Sequence, residues 1–214
     1  MTDERLTEVV TRFLALEDLT AAAADALEAN GLPAPVVPAH VLAPLAHGMR
    51  VCGPARTLRY EREDEPAESL RAAGTAPRMG HAELRAACRP GDVVVIDCGG
   101  THDLAVIGGR SGSALHAAGV AGVLVDGSVR DLDELGGTGI PVWSRGRTPR
   151  SALHRLRSVA TDVPVSLAGV PVAPGDLVLA DGSGTVVVPR DRAGEVLATA
   201  EALVAHENSG GGRY

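Results

Sequence analysis

The strongest constraint on the fold is a series of short, Val-rich apolar runs separated by Ala- and Gly-rich segments. The runs "VVVI" (93–96) and "GVLV" (122–125) are each followed by an Asp. Continuous apolar runs of this length are typical of strands that are buried on both faces of a sheet. The segment "GSALHAAGV" (112–120), which lies between them, predicts a short helix. This alternation indicates βαβ units and a parallel sheet in the middle of the chain.

The composition limits the class of protein. The chain has 214 residues, of which only 2% are aromatic, so the core must consist of Val, Leu, Ile and Ala. This length suits one well-buried domain. We predict a single domain over residues 1–208 with N-terminal helices, followed by a flexible tail at 209–214. The three cysteines are scattered, which favours small buried thiols over a disulfide framework or a zinc site.

Charge and hydropathy limit the partners and the location. The net charge of −7 argues against non-specific nucleic-acid binding. No apolar run approaches the length of a membrane span. The N-terminal segment "MTDERLTEVV" is acidic and amphipathic, unlike a signal peptide. We therefore expect a cytoplasmic protein that binds neither nucleic acid nor membrane.

The two ends of the chain contain further predicted elements. Apolar positions at helical spacing predict an amphipathic helix over 2–16, and "DLTAAAADALEANGLP" predicts a second helix with Thr20 as its N-cap. The segment 49–60, "MRVCGPARTLRY", predicts a strand, a turn and a second strand. The segment 173–196 predicts a β-hairpin that is followed by the final helix.

The stretch "GVLVDGSVRDLDEL" (122–135) places a cation beside an anion after a predicted strand. With Ser128 as N-cap, Arg130 and Asp131 would lie in the first turn of a helix. One interpretation is structural: Asp131 favours the helix dipole and Arg130 is solvated. The other is functional: Arg130 binds a substrate carboxylate in bidentate fashion, and Asp131 holds a divalent cation such as Mg²⁺. The residues alone leave both interpretations open.

A second candidate site is the segment "VIGGRSGSALHAAG" (106–119). Its residues Gly108, Gly109, Arg110 and Ser111 precede or open a helix, where glycines allow a ligand to approach the backbone amides. The alternative is a loop that needs glycine only for a positive φ angle. The segment is neither a Walker A loop nor a dinucleotide-binding fingerprint.

Acidic residues end three of the predicted strands: Asp97, Asp126 and Asp181. Ligands in open α/β sheets bind beyond the carboxyl ends of strands. The helices that follow such strands offer free N–H groups and the positive end of a dipole. The sequence therefore predicts the functional site at this edge of the sheet.

The order of these segments resembles the RraA-like family over roughly residues 18–206. This family includes the regulators of ribonuclease E activity and the class II 4-hydroxy-4-methyl-2-oxoglutarate aldolases. The segments "GMRVCGPARTL" and "IGGRSGSALHAAGVAGVLVDGSVRD" carry the most specific similarity. Gly109 is followed by 20 residues, then by Arg130 and Asp131, and after two more residues by Glu134.

The resemblance implies an α/β fold of the swivelling β/β/α sandwich type. In this fold a mixed central sheet is flanked by helices and by a second sheet, to which the hairpin at 173–196 would belong. The resemblance also implies a homotrimer or a hexamer whose sites lie between subunits.

The resemblance assigns roles to the candidate residues. Arg130 and Asp131 are the implied catalytic residues: Arg130 binds the pyruvyl carboxylate and carbonyl, and Asp131 coordinates Mg²⁺ or Mn²⁺. The glycine loop 108–111 binds the substrate, and the backbone amides of Arg110 and Ser111 receive its carboxylate. The implied activity is a divalent-metal-dependent lyase on small 2-keto acids. It would cleave substrates like 4-hydroxy-4-methyl-2-oxoglutarate or decarboxylate oxaloacetate, in both cases through a pyruvate enolate.

The sequence departs from the aldolase pattern at Gly109, where the dedicated aldolases carry an acidic residue. Those aldolases also take an acid from the C-terminal region of a neighbouring subunit, for which Glu201 and Glu207 are candidates here. Retention of Arg130 and Asp131 favours an enzyme. The glycine favours the alternative, a non-catalytic regulator that binds a ribonuclease E-type partner. A third possibility is a different reaction in the same keto-acid pocket.

Overall fold

The apolar runs form strands and the Ala-rich segments form helices in a computed structural model, which describes residues 2–210. The helices are α1 (Asp3–Ala15), α2 (Leu19–Ala29), α3 (Ala67–Ala72), α4 (His81–Ala87), α5 (Gly109–Ala117), α6 (Leu132–Gly137) and α7 (Ala193–Asn208). The strands are β1 (Val36–Pro38), β2 (Ala43–Pro44), β3 (Val51–Arg62), β4 (Val93–Ile107), β5 (Gly122–Val129), β6 (Val142–Arg147), β7 (Leu156–Thr161), β8 (Val165–Leu167), β9 (Val170–Val172), β10 (Leu177–Ala180) and β11 (Gly184–Val188).

One large mixed sheet organises the chain. Its strand order is β1-β11-β10-β3-β4-β5-β6-β2, and β7 also pairs with β3. The neighbours β3, β4, β5 and β6 run parallel, as the predicted βαβ units require, whereas the other pairs in this sheet are antiparallel. The strands β8 and β9 form a small second sheet. The predicted α/β class, with a large mixed sheet, helices and a second sheet, is confirmed.

Two details of the predicted sheet are wrong. The segment 49–60 does not turn at Gly53, because β3 is continuous: its first residues pair with β10 and the residues from Ala55 onward pair with β4. The hairpin β10–β11 does form, but it joins the large sheet through β3 rather than belonging to the second sheet. The sequence shows a Gly-Pro pair that resembles a turn, and only the packing shows why a glycine stands there. A Cβ atom on Gly53 would overlap the carbonyl oxygen of Gly91.

The predicted N-terminal helices α1 and α2 are confirmed, but Thr20 is not the N-cap of α2. Helix α2 begins at Leu19, and Asp18 holds the N-cap position without a side-chain capping bond. Asp181, which is distant in sequence, provides the hydrogen-bond acceptor at the start of α2. Its carboxylate accepts the Thr20 N–H at 3.1 Å and the Thr20 hydroxyl at 2.8 Å. The acid that follows β10 therefore ties the hairpin to α2.

The buried side chains form layers on both faces of the sheet. Helices α1, α2 and α7 cover β10, β11 and the first part of β3, where the buried thiol of Cys52 lies. A second layer lies under the β8–β9 sheet and includes Trp143. A third layer separates β4 and β5 from α4, α5 and α6. The third layer holds the helices that follow the carboxyl ends of the central strands.

The structure describes only part of the predicted C-terminal tail. Residues 211–214 of the predicted flexible tail lie outside the described residues. In the described part, none of the helices combines the length and the apolar character that crossing a bilayer requires.

Candidate active site

The two candidate segments meet where β4 and β5 end. The N–H group of Arg130, directly after β5, donates to the carbonyl oxygen of Ile107, the last residue of β4, at 3.0 Å. This bond holds the Arg130–Asp131 pair beside Gly108. The large sheet thus brings together two segments that are separate in sequence, at the edge where parallel strands present their carboxyl ends.

The predicted helix start at Ser128 is wrong. Strand β5 continues through Val129, and the buried Ser128 hydroxyl donates to the carbonyl oxygen of His102 at 2.6 Å. Helix α6 begins only at Leu132, with Asp131 at its N-cap position. Asp131 has a left-handed backbone conformation, with φ at 52°, which Asp tolerates better than most residues. This conformation turns the chain sharply from the strand into the helix and leaves the Asp131 carboxylate beside the glycine loop.

Arg130 and Asp131 form a weak ion pair with each other. Arg130 Nε lies 3.4 Å from Asp131 Oδ2, and their side chains are 39% and 41% exposed. An ion pair this exposed contributes little to stability. Both side chains are therefore available to a ligand at small energetic cost.

The glycine loop opens helix α5, as the sequence predicts. The N–H group of Gly108 donates to the hydroxyl of Ser111 at 3.0 Å, which holds the loop against the first turn. Helix α5 begins at Gly109, so the N–H groups of Gly109, Arg110 and Ser111 have no acceptor within the helix. Among residues 2–210 they have no other acceptor either. These groups and the helix dipole can receive a carboxylate.

Two carboxyl groups lie directly over the two glycines. A Cβ atom on Gly108 would overlap Asp131 Oδ2, and a Cβ atom on Gly109 would overlap the carboxyl group of Glu134. Gly108 has an extended backbone, and neither glycine has a positive φ, so a larger residue at either position would displace a carboxyl group rather than strain the backbone. The alternative explanation of the loop as a positive-φ turn is therefore wrong.

These groups line a cavity of about 510 Å³. Of the six predicted site residues, five line it: Gly108, Arg110, Ser111, Arg130 and Asp131. Gly109 does not, because Glu134 covers it and takes its place in the cavity wall. The lining also includes residues that the sequence did not indicate, namely Met79, His81, Ala82, Arg85, Ser151 and Leu153. The only local signal for them is that His81 and Arg85 are spaced to share one face of a helix.

His81 is the titratable group of this wall that burial affects most. Burial lowers its pKa, an effect that Glu83 partly opposes. Its Nε2 atom is buried and has no hydrogen-bond partner within the described residues. The ring packs against Tyr60, with ring centroids 6.4 Å apart. At neutral pH the imidazole therefore adds a polar group but no charge to the cavity wall.

The acids that end the predicted strands serve the fold. Asp97 accepts the N–H groups of Gly99 and Ser166, at 2.9 and 3.1 Å. Asp126 is buried and forms a short ion pair with Arg145. Together with Asp181, which binds α2, these three carboxylates are satisfied by the chain and do not line the cavity. The cavity lies at the predicted edge of the sheet, but other residues line it.

The carboxylates available for a metal ion are few. No cluster of three or more His, Cys, Asp or Glu side chains between residues 2 and 210 could hold a metal. Glu201, a candidate for donation to a neighbouring subunit, pairs with Arg12 of its own chain. Asp131 and Glu134 are the two carboxylates in the cavity wall. That number fits Mg²⁺, which commonly binds one or two protein carboxylates and completes its shell with water and substrate oxygens.

Known proteins resemble this chain in sequence. "Putative 4-hydroxy-4-methyl-2-oxoglutarate aldolase" of Halalkalibacterium halodurans is 33% identical over 158 residues, which cover 74% of this chain and 69% of that protein. Protein DlpA of Legionella pneumophila is 31% identical over 174 residues, which cover 81% of this chain but only 26% of that protein. The chain thus spans about a quarter of DlpA.

Solved structures share the fold over nearly the whole chain. RraAS2 of Streptomyces coelicolor, described as an unusual member of the RNase ES inhibitor RraA family, is 30% identical with a TM-score of 0.82. That match covers 95% of this chain and 96% of RraAS2. An uncharacterized protein from Pseudomonas syringae is 31% identical with a TM-score of 0.78, covering 94% and 85% of the two chains. The family described as RraA-like, Aldolase/RraA, matches residues 20–187, and the chain belongs to this family.

Proposed function

We propose that this protein is a divalent-metal-dependent lyase that acts on pyruvate-type 2-oxo acids. The observation that carries the proposal is the meeting of Arg130 and Asp131 with the free N–H groups of α5 in one cavity. A 2-oxo acid presents a carboxylate next to a carbonyl group, and this arrangement offers a cation and amide donors to both. The names of the aldolase relatives support the same reaction class.

The head group of the substrate would bind between two elements. The N–H groups of Arg110 and Ser111 receive its carboxylate at the positive end of α5. The guanidinium of Arg130 reaches the same region from the end of β5 and donates to the carboxylate and the carbonyl oxygen. As cleavage proceeds, negative charge develops on that carbonyl oxygen, and Arg130 stabilises it.

Asp131, assisted by Glu134, would hold Mg²⁺ or Mn²⁺. A divalent cation at this position supplies Lewis acidity toward the oxygens of the 2-oxo acid. The two carboxylates also balance the positive charge of Arg130 when no substrate is bound. Their place over Gly108 and Gly109 keeps them beside the N–H groups that bind the head group.

The two proposed reactions break equivalent bonds. In a 4-hydroxy-2-oxo acid, the C4 hydroxyl loses its proton and becomes a carbonyl while the C3–C4 bond breaks. In oxaloacetate, the C4 carboxylate leaves as carbon dioxide. In both cases the electron pair of the broken bond remains on C3 as the pyruvate enolate, which is then protonated to pyruvate. A site that stabilises this enolate supports either reaction.

The test is the release of pyruvate from oxaloacetate and from 4-hydroxy-4-methyl-2-oxoglutarate, with Mg²⁺, with Mn²⁺ and with a chelator. We expect turnover that needs the metal and falls by at least about 100-fold in Arg130→Ala and Asp131→Ala. Asp133→Ala is the matched control, because Asp133 lies in the same turn of α6 but does not line the cavity. Absence of turnover on both substrates, with no effect of metal, would contradict the proposal.

We further propose a homotrimer or hexamer with the site at a subunit boundary. Two exposed leucines support this assembly: Leu153 in the cavity wall and Leu132 next to Asp131 are 39% and 38% exposed. Apolar side chains at the mouth of a cavity are suited to contact with a second subunit. Light scattering coupled to size-exclusion chromatography tests the mass, and a monomer at micromolar concentration would refute this assembly.

The second candidate function is that of a regulator that binds a ribonuclease. It is favoured by the similarity to RraAS2, which extends over almost the full length of both chains. Such a function needs no cation-binding carboxylates and no free N–H groups in a cavity. Binding to the catalytic domain of a ribonuclease E-type enzyme that is unchanged in Asp131→Ala, together with absence of lyase turnover, would favour it.

A further inference from the structure

Helix α4 contributes a part of the cavity wall that belongs to neither β5 nor α5. Leu84 is fully buried in the layer beneath the sheet. Before the helix, the carbonyl oxygen of Arg78 accepts the N–H of Ser158 at 2.8 Å, and the hydroxyl of Tyr60 donates to the carbonyl oxygen of Met79. A Cβ atom on Gly80 would overlap the Ser158 side chain, so the start of α4 lies tightly against β7. The start of the helix is therefore anchored.

Three side chains of α4 line the cavity. His81, Ala82 and Arg85 all lie in the cavity wall, with His81 and Arg85 one helical turn apart. Because the helix is anchored, these side chains extend from a backbone of fixed position. Helix α4 can thus present Arg85 to a ligand in the same cavity.

Arg85 is the one charged side chain that α4 adds to the cavity. Within residues 2–210 it forms no ion pair and no side-chain hydrogen bond. Its neighbour His81 is uncharged at neutral pH, because burial lowers the pKa of the imidazole. The cavity also has apolar lining residues, among them Met79, Ala82 and Leu153. An unpaired guanidinium in such surroundings is suited to an anionic group of a ligand.

The charges of the cavity are distributed unevenly. Asp131 and Glu134 lie on the side of the glycine loop, where Arg130 pairs with Asp131. The side formed by α4 has a cation and no lining carboxylate. The cavity, at about 510 Å³, also has room for a ligand longer than pyruvate.

We infer that Arg85 is a specificity-determining residue that binds the carboxylate at the far end of the substrate. The inference rests on the proposed function, since it takes the head group to lie at α5 and Arg130. Arg110 also lines the cavity, but it belongs to the first turn of α5 and thus to the side of the head group. Arg85 is the lining cation that comes from a different element, so it is available to a second carboxylate of a longer substrate.

A matched pair of stable ligands tests the inference. The probes are 2-oxoglutarate and 2-oxopentanoate, which share the 2-oxo acid head group and the chain length and differ only in a terminal carboxylate or methyl group. Their dissociation constants are measured by calorimetry with Mg²⁺ present, and pyruvate serves as the probe for the head group alone. We expect the protein to bind 2-oxoglutarate at least about tenfold more tightly than 2-oxopentanoate.

The variants separate the role of Arg85 from a general effect of charge. Arg85→Gln should abolish the preference for 2-oxoglutarate and leave the affinity for 2-oxopentanoate and pyruvate unchanged. Arg85→Lys should retain part of the preference for 2-oxoglutarate, because Lys keeps the charge but cannot form a bidentate pair with a carboxylate. Arg71→Gln is the control, since Arg71 is an exposed helical arginine outside the cavity.

Each remaining outcome overturns the inference. Equal binding of the two probes by the unaltered protein would do so. So would a preference that survives in Arg85→Gln or that disappears only in Arg110→Gln. In these cases the binding of 2-oxopentanoate and pyruvate still supports the head-group site. If none of the three ligands binds, the proposed function fails together with the inference.

Discussion

At the scale of single residues, a carboxylate beside the start of α5 belongs to the neighbouring helix α6. The carboxyl group of Glu134 lies where a side chain at position 109 would begin. The carboxylate therefore comes from the first turn of α6 rather than from the first turn of α5. An acid at position 109 and Glu134 in its present position exclude each other by volume. We expect Glu134 to provide the negative charge that the glycine lacks.

Glu134→Gln should weaken the binding of Mn²⁺. The substitution keeps the size of the side chain but removes one of the two carboxylates at the proposed cation site, so we expect the dissociation constant to rise roughly tenfold. Electron paramagnetic resonance of free Mn²⁺ during titration measures this constant without the need for turnover. Asp133→Asn is the matched control and should leave it unchanged. An unchanged dissociation constant in Glu134→Gln would show that Glu134 only stabilises the start of α5.

The imidazole of His81 should make stability depend on pH. Burial lowers the pKa of folded His81 below the value of about 6.5 that a His has in an unfolded chain. As pH falls through that range, the unfolded chain binds the proton first, so the free energy of unfolding decreases. Urea denaturation between pH 7.5 and 5 should show a smaller decrease in His81→Gln than in the unaltered protein. The exposed His40 provides the control: if His40→Gln shows the same reduction, His81 is not responsible.

At the scale of elements, the sequence predicts the main features of the fold because most elements carry local signals. Helix periodicity predicts α1 and α2, and the apolar runs predict β4, β5 and the hairpin β10–β11. The wrong start of α6 has a non-local cause. Gly127 and Ser128 have the composition of a turn, but a Cβ atom on Gly127 would crowd Cys98, and the Ser128 hydroxyl is satisfied by His102. Contacts with a neighbouring strand, which the sequence does not show, keep both residues in β5.

The candidate site also combines residues with local sequence signals and residues that only tertiary packing brings together. The residues of the glycine loop and the Arg130–Asp131 pair were predicted because each stands at a junction between a strand and a helix. The α4 wall was not predicted, because His81 and Arg85 reach the cavity only through the packing of α4 against β3 and β7. Glu134 stood out only by its spacing from Asp131. Its role depends on the distance between two helices.

Asp181→Ala should loosen the start of helix α2. The substitution removes the acceptor for the N–H and the hydroxyl of Thr20, which belong to a different part of the chain. Loss of a capping acceptor costs about 1–2 kcal/mol, and we expect the free energy of unfolding to fall by that amount in chemical denaturation. Asp181→Asn keeps one oxygen acceptor and should lose less. Equal losses in the two variants would indicate that the charge, and not the capping bond, is what matters.

At the scale of the whole molecule, strand β3 joins the two parts of the large sheet. Its first residues pair with β10, and the residues from Ala55 onward pair with β4 and β7. Gly53 lies just before this change of partner, where the backbone of Gly91 approaches it closely. Because backbone and not a movable side chain fills the space, the two parts of the sheet cannot separate locally to admit a larger residue.

Gly53→Ala should therefore destabilise the entire protein. Overpacking at a buried position costs about 1–3 kcal/mol, and here the neighbouring atom is a carbonyl oxygen that is fixed in a turn. The free energy of unfolding from urea titration measures the effect. Gly194→Ala in α7, where a Cβ atom meets no other atom within 4 Å, should be neutral or stabilising. Similar values for the two variants would show that β3 and the Gly91 turn move apart easily.

The pairing of β1 with β11 has a consequence for biosynthesis. Val36 pairs with Val186, and Pro38 pairs with Gly184. Strand β1 is synthesised early but cannot pair until β11 has been synthesised. The first part of β3 likewise cannot pair until β10 has been synthesised. Because a ribosome releases the chain from its N-terminus, β1 and the start of β3 emerge long before their partners. The parallel strands β3 to β6 can assemble first. The N-terminal helices α1 and α2 can pack against β10 and β11 only when this hairpin has left the ribosomal exit tunnel. During that interval Cys52 and its apolar neighbours lack the hairpin residues that bury them in the folded protein.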